Sequence, residues 1–352
     1  MSSKTTEVDE RIKVDQAKNR VKKTIVSVIV IALVAISWAC ATQFSKSALT
    51  INRHDFYAPY SMVWFSTTFM AICYPVYVFY ALAFTGATLK DTNKDAALVF
   101  SRDTVRIRDV LVKVGPFLVM WVAANYSYSY ALGHISASAA SSIMSSNTAM
   151  VCFLAYCFLG SVPSIIKIVG AFLAIAGVVV ISLDHEFAGS WLGVVLVVFS
   201  ALSAAFYKVL FKKVNGDANL GQVSLFMSML GVLDLLINIW PTIVMVVTDA
   251  DHIKFSAVPW LPLIGAGLLS LIFNFLVNFG IALLNPLVIS VGMLCGIPVS
   301  AAIDIVVRGM PMTWTFGVSS MLFIVSFFLT TFPVDDWVLF WIKSSQVEFT
   351  AA

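Results

Sequence analysis

The chain has 352 residues, of which 60% are hydrophobic and only 12% carry charge. About a quarter of an ordinary soluble domain is charged, so this composition excludes a water-solvated globule and predicts a membrane bundle. The net charge is a mild +3, unevenly spread along the chain, and it implies no nucleic-acid partner.

Residues 1–23 form a basic tail with seven Lys or Arg, including Lys18, Arg20, Lys22 and Lys23. Beyond it, a bilayer core demands about 20 apolar residues per crossing. A backbone in lipid must bond to itself, so such runs are predicted helices. Ten stretches qualify: about 24–43, 59–84, 110–132, 138–159, 163–183, 190–211, 221–247, 258–284, 287–307 and 314–332. The first follows basic residues like a signal peptide, but its apolar run is too long for an h-region and is read as retained. It carries Trp38. Pro75 interrupts the second.

The third contains Asn125-Tyr126-Ser127-Tyr128-Ser129-Tyr130. These tyrosines suit an interfacial belt or, alternatively, an aromatic cage whose ring faces attract a cation, with Trp38 adding another face. Asn125-Tyr126-Ser127 matches a glycosylation sequon, discounted because it lies within a helix. The fourth opens with the small residues Ser136 to Ser142, and the fifth carries Gly170, Ala174 and Gly177. Both read as close-packing faces. Ser200, Ser203 and Tyr207 stripe the sixth, where Lys208 is expected to snorkel to the surface. In the seventh, Ser224, Ser228, Gly231, Asp234 and Asn238 share an arc of about 120° at 100° per residue. In the eighth, Gly267, Ser270, Asn274 and Asn278 share about 80°. Pro241 interrupts the seventh. Gly296 before Pro298 predicts a kink in the ninth, which ends near Asp304, expected to cap or pair with Arg308.

Polar groups in hydrocarbon usually face the bundle interior or a wet cavity. Single serines fit interhelical hydrogen-bond seams, each worth about 0.6–2 kcal/mol. For Asn274 and Asn278, one turn apart, seam and cavity both stay open. Cys40, Cys73, Cys152, Cys157 and Cys295 lie in apolar runs without metal or disulfide spacing and read as small core residues. His54, His134, His185 and His252 lie in or near loops and do not cluster.

Of the 22 Lys and Arg, 18 fall on one side of the ten-span layout, which predicts both termini in the cytosol. Tyr130-Ala131-Leu132 and Ile281-Ala282-Leu283 each precede a turn, and Gly160, Pro163 and Gly170 parallel Gly309, Pro311 and Gly317. The chain therefore divides into a five-helix repeat at 24–183, an inverted copy at 190–332, and a cytosolic tail at 333–352. The fold class is an all-α membrane protein of ten transmembrane helices. Inverted repeats accompany alternating access around a midplane site. No P-loop, His-Glu-x-x-His, Gly-x-Ser-x-Gly or Cys-x-x-Cys occurs. An enzyme, a metal and a cofactor are therefore not expected, and gradient-driven transport or facilitated exchange remains.

Several pieces carry a resemblance: Ala131-Leu132 through Ile135-Ser136-Ala137, Ala171 to Gly177, and Tyr207-Lys208-Val209-Leu210-Phe211-Lys212. Leu230-Gly231-Val232, Phe273-Asn274 to Asn278-Phe279-Gly280-Ile281-Ala282, Ile297-Pro298-Val299 and Ile303-Asp304 continue it in the same order. The stretch from Asn125 to Asp304 resembles solute carrier family 35, subfamily F, of the drug/metabolite transporter superfamily, nearest the branch described as thiamine transporters. The resemblance implies a ten-span carrier of a small solute, with thiamine as one substrate. It also implies an uncharged residue where this chain has Asp234.

An organic cation of thiamine type would need aromatic faces, amides and a negative group. Trp38, Tyr126, Tyr130, Tyr207, Asp234, Asn274 and Asn278 are the candidates. The rival solute, a nucleotide-sugar or another metabolite, would want buried Arg or Lys for its phosphates, and the spans offer only Lys46 and Lys208, near helix ends. A non-transporting scaffold or receptor is the alternative of another class. The lipid bilayer is the surrounding partner. A homodimer stays open, as does the choice between plasma membrane and Golgi or other endomembranes.

Overall fold

The computed structural model describes residues 2–52, 54–101, 104–131, 146–160, 164–182, 191–283 and 314–331, with a few isolated positions besides. Helix α1 runs unbroken from Ser2 to Thr50, about 74 Å at 1.5 Å per residue. The basic tail is thus part of the first helix, and Thr24–Leu49 is its apolar, span-length part. Ile25, Ile29, Leu33 and Ile36 lie exposed along one stripe, while Ile31, Val34 and Ala39 are buried. An exposed apolar stripe at helical spacing is what lipid solvates.

The second crossing, Pro59–Thr85, consists of α2 (Pro59–Thr68), a 3-10 turn at Phe69–Ile72, α3 (Cys73–Tyr80) and a π turn at Ala81–Thr85. It ends at Gly86, φ +66°, a left-handed position suited to glycine. Amphipathic α4 (Leu89–Ala97) follows, capped by Thr88 accepting from the Asp91 N–H. Helix α5 (Ile107–Ala131) comes next, with α6 (Ser146–Leu159) and α7 (Ile165–Ser182) beyond it. In the second half, α8 spans Trp191–Asn215. The crossing Leu220–Val247 joins α9 (Leu220–Leu233), a π turn at Asp234–Asn238, and α10 (Ile239–Val247). Helix α11 (Trp260–Leu283) and α12 (Trp314–Thr331) complete the described helices.

Five described helical stretches are long and apolar enough to cross a membrane: Thr24–Leu49, Pro59–Thr85, Trp191–Asn215, Leu220–Val247 and Trp260–Ile281. Helices also occupy the expected third, fifth and tenth stretches and the end of the fourth. The ninth stretch, its Pro298 and the Asp304–Arg308 pairing lie outside the described residues.

The main packing pairs are α1 with α11, α5 with α8, α6 with α8, and α7 with α12. Ser326 of α12 donates to the Gly170 carbonyl, 2.6 Å, across the last of these. At one end of the bundle, β1 (Phe56–Tyr57) pairs antiparallel with β2 (His252–Ile253). Lys254 Nζ meets Asp55 Oδ1 there at 2.5 Å. At the opposite end, Asn219 Nδ2 donates to Asp95 Oδ2, 2.8 Å. This second contact sets Lys90 and Lys94 of α4 at the same end as Lys212 and Lys213 of α8.

The prolines explain how α3 and α9 approach. Pro75 has no N–H for the Ala71 carbonyl four residues back. The Ser228 hydroxyl of α9 donates to that carbonyl instead. Beside it, a Cβ on Gly231 would run into the Ala71 backbone nitrogen, so only glycine permits this approach. Pro241 likewise follows the π turn at Asp234–Asn238, where a widened turn relieves the clash between its ring and the carbonyl four residues earlier.

Candidate functional site

Among the described residues, several polar centres lie inside the bundle. The first joins α8 to α11. Tyr207 is 3% exposed because rings surround it: Phe117 edge-on at 5.5 Å, Trp121 tilted at 5.5 Å and Phe211 stacked at 6.1 Å. Its hydroxyl donates to Asn278 Oδ1 at 2.8 Å. Asn278 is fully buried, and its Nδ2 donates to the Asn274 carbonyl one turn earlier, 2.8 Å. The Asn274 side chain is buried too, yet its Oδ1 has no hydrogen-bond partner among the described residues. A buried acceptor left unmade costs about 1–3 kcal/mol, so an unmet amide oxygen here is a place for a donor from a ligand or water. Trp38 of α1 adds a ring beside this centre, its centroid 4.8 Å from that of Phe273, the residue before Asn274.

The second centre is the π turn at Asp234–Asn238. Asp234 is fully buried. Its Oδ1 accepts from Asn238 Nδ2 at 2.6 Å, whereas Oδ2 has no hydrogen-bond partner among the described residues. Thr68 stands beside it but gives its hydroxyl proton to the Trp64 carbonyl, 2.9 Å. π turns inside α-helices recur at functional sites, and Asp234 opens this one while its own N–H still bonds the Leu230 carbonyl.

The tyrosines form a third group. Tyr126 sits edge-on to Tyr60 at 4.9 Å and tilted to Tyr130 at 5.9 Å. Tyr130 is 39% exposed. Tyr60 lies within electrostatic reach of Asp234 and of Asp251. Asp251, only 2% exposed, accepts from the Ser61 N–H at 2.6 Å and the Ser61 hydroxyl at 2.7 Å. It caps the orphan amides at the start of α2. The sequence signal for Asp251 was weak, since its partners are about 190 residues away.

The predicted residues therefore do not make one cluster. Tyr207, Asn274 and Asn278 come together with Trp38 alongside, Asp234 pairs with Asn238, and Tyr126 and Tyr130 gather on Tyr60. Seam roles hold for Ser200, which donates to the Ala124 carbonyl at 2.7 Å, and for Ser228 on Ala71. Asn125 donates to the Trp121 carbonyl at 2.9 Å inside α5, consistent with discounting the sequon. Cys157 is exposed rather than a core residue.

Lys208 departs from expectation. It does not snorkel outward: it is 5% exposed and donates to Asn147 Oδ1 at 2.6 Å, while Asn147 Nδ2 bonds the Ala201 carbonyl at 2.6 Å. The amide from α6 solvates the ammonium inside the bundle, and Lys212 and Lys213 supply the charge at the helix end. The expectation that Lys208 snorkels to the surface from a helix end is thus overturned.

Known proteins place this architecture. Residues 25–183 match the EamA-like transporter family. Human solute carrier family 35 member F3 is 34% identical over 298 residues, covering 82% of this chain and 68% of the relative. Mouse solute carrier family 35 member F4 is 33% identical over 321 residues, covering 90% of this chain and 65% of the relative. A solved crystal structure superposes at a TM-score of 0.60 with 14% identity, covering 88% of this chain and 97% of the other, which supports the fold alone. An integral, multi-pass membrane bundle with buried polar centres and such relatives belongs to solute carrier family 35, subfamily F, of the drug/metabolite transporter superfamily.

Proposed function

We propose that this chain carries a small organic cation of thiamine type across a membrane by alternating access, with no chemical step. In this reading ten spans form two inverted five-helix repeats, 24–183 and 190–332, with both termini cytosolic. The basic segments gathered at one end suit that orientation. The observation that carries the proposal is the unmet Asn274 Oδ1 beside the Tyr207–Asn278 bond. Buried polar groups inside a membrane bundle are costly, which is why they mark functional sites.

Thiamine presents a permanently charged thiazolium and a hydrogen-bonding aminopyrimidine. Asn274 and Asn278 offer amide acceptors and donors to the pyrimidine. Trp38, beside the amides, offers a ring face to the cation, and Tyr126 and Tyr130 offer others in their separate group. Labelled thiamine should enter proteoliposomes saturably, and Asn274→Leu with Asn278→Leu should abolish entry while the protein stays folded. Unchanged uptake in that variant would remove the amides from the site.

A second reading has its own support. Buried Lys208 is the kind of group a phosphate-bearing metabolite requires. Saturable uptake of a labelled nucleotide-sugar alone, lost in Lys208→Met, would select it over thiamine.

A further inference from the structure

We infer that Asp234 is a proton-exchange site through which the carrier couples solute movement to a proton gradient. The inference rests on the transport reading, though not on the identity of the solute. Asp234 is fully buried within a crossing, with one oxygen held by Asn238 and the other unmet among the described residues. An ionised carboxylate isolated in low dielectric is unstable unless a cation or a proton neutralises it.

Among the described residues, the surrounding elements supply no counter-cation. Helices α9 and α10 pack against the π turn from either side and contain no Asp, Glu, Lys, Arg, His, Tyr or Cys. Helix α2 also packs there, and its one titratable side chain is Tyr60, which shares its field with Asp234, Asp251 and Tyr126. All of these are neutral or negative. A metal ion would need several oxygen ligands, but Asn238 turns its N–H₂ toward the carboxylate, and no cluster of three His, Cys, Asp or Glu occurs among the described residues. A proton, by contrast, needs only the free Oδ2.

In the closed arrangement the proton sits on Oδ2, and the centre is neutral. When the bundle opens and water reaches the π turn, the proton passes to that water, leaving the carboxylate hydrated. Reprotonation from the opposite side closes the cycle, with one proton released and one regained.

Two measurements test this. In reconstituted protein at neutral pH, infrared spectroscopy should show a protonated-carboxyl C=O stretch that vanishes in Asp234→Asn. The band should shift without vanishing in Asn238→Leu, which removes the hydrogen-bond donor, and stay unchanged in Asp249→Asn at the exposed end of the bundle. Absence of the band, or its persistence in Asp234→Asn, overturns the site. In proteoliposomes with labelled thiamine as probe, reversing a one-unit pH gradient should change steady-state accumulation by up to about tenfold in each direction for one proton per cycle. Asp234→Asn should accumulate equally under both gradients. Wild-type accumulation indifferent to gradient direction overturns the coupling. Absence of thiamine uptake overturns the proposed solute instead, and the infrared band then decides the proton site.

Discussion

Replacing Tyr207 by phenylalanine removes one hydroxyl from the α8–α11 interface and leaves the ring among Phe117, Trp121 and Phe211. Asn278 Oδ1 then loses the donor at 2.8 Å. Two magnitudes compete. Interhelical hydrogen bonds in membranes average about 0.6 kcal/mol and reach about 1.7, because the unfolded helices find other partners. A buried acceptor stripped of its donor costs about 1–3 kcal/mol. Asn278 is fully buried, so water cannot replace the hydroxyl in the closed state, and the second effect governs. The expected loss is about 1.5 kcal/mol, roughly tenfold in the folded-to-unfolded ratio. Asn278→Leu removes the same bond and also the one to the Asn274 carbonyl. In the double variant the Tyr207–Asn278 bond is counted once, so the two single losses should exceed the combined loss by about 1 kcal/mol. Reversible unfolding of the purified protein in mixed micelles by denaturing detergent measures all four corners. Additivity within about 0.3 kcal/mol would refute the bond, since that is how independent sites behave.

Asn274→Leu should raise stability by about 1 kcal/mol, because it removes an unmet buried acceptor, while uptake falls. Loss of both would make Asn274 structural. Gly231→Ala forces a Cβ onto the Ala71 backbone and should cost about 3 kcal/mol or more, since overpacking against backbone cannot relax by side-chain rotation. Gly317→Ala meets nothing within 4 Å among the described residues and should gain up to about 1 kcal/mol from helix propensity, and the two melting temperatures should move in opposite directions. At the strand-paired end, the hydrogen bond and charge of Lys254 hold the Asp55 carboxyl below its ordinary value of 3.8. A depressed carboxyl stabilises the fold above its unfolded value, and the contribution disappears as pH falls through the lowered one. Protection of residues 52–58 from hydrogen exchange should therefore drop only in acid below 3.8. Asp55→Asn should lack that step, and an unchanged step would assign it to another group.

Much of the membrane architecture was legible in the chain because its rule is local. A crossing needs about 20 apolar residues, and the runs at 59–84 and 221–247 meet it whatever surrounds them. The helical period also put Asn274 and Asn278 on one face, and Ser228, Gly231 and Asp234 on another, without knowledge of a neighbour. Pro75 and Pro241 marked where the ladders would break.

What the periodicity left undetermined was which face meets which. Only the tertiary structure joined Tyr207 to Asn278, 71 residues apart, brought the Ser228 hydroxyl to the carbonyl orphaned by Pro75, and kept Lys208 inside on Asn147. It also divided the candidate residues into separate centres, leaving Asp234 with Asn238. Hydropathy reports how each residue prefers water or lipid. A contact between helices depends on the rotation and tilt of both, and those follow from the packing of the whole bundle.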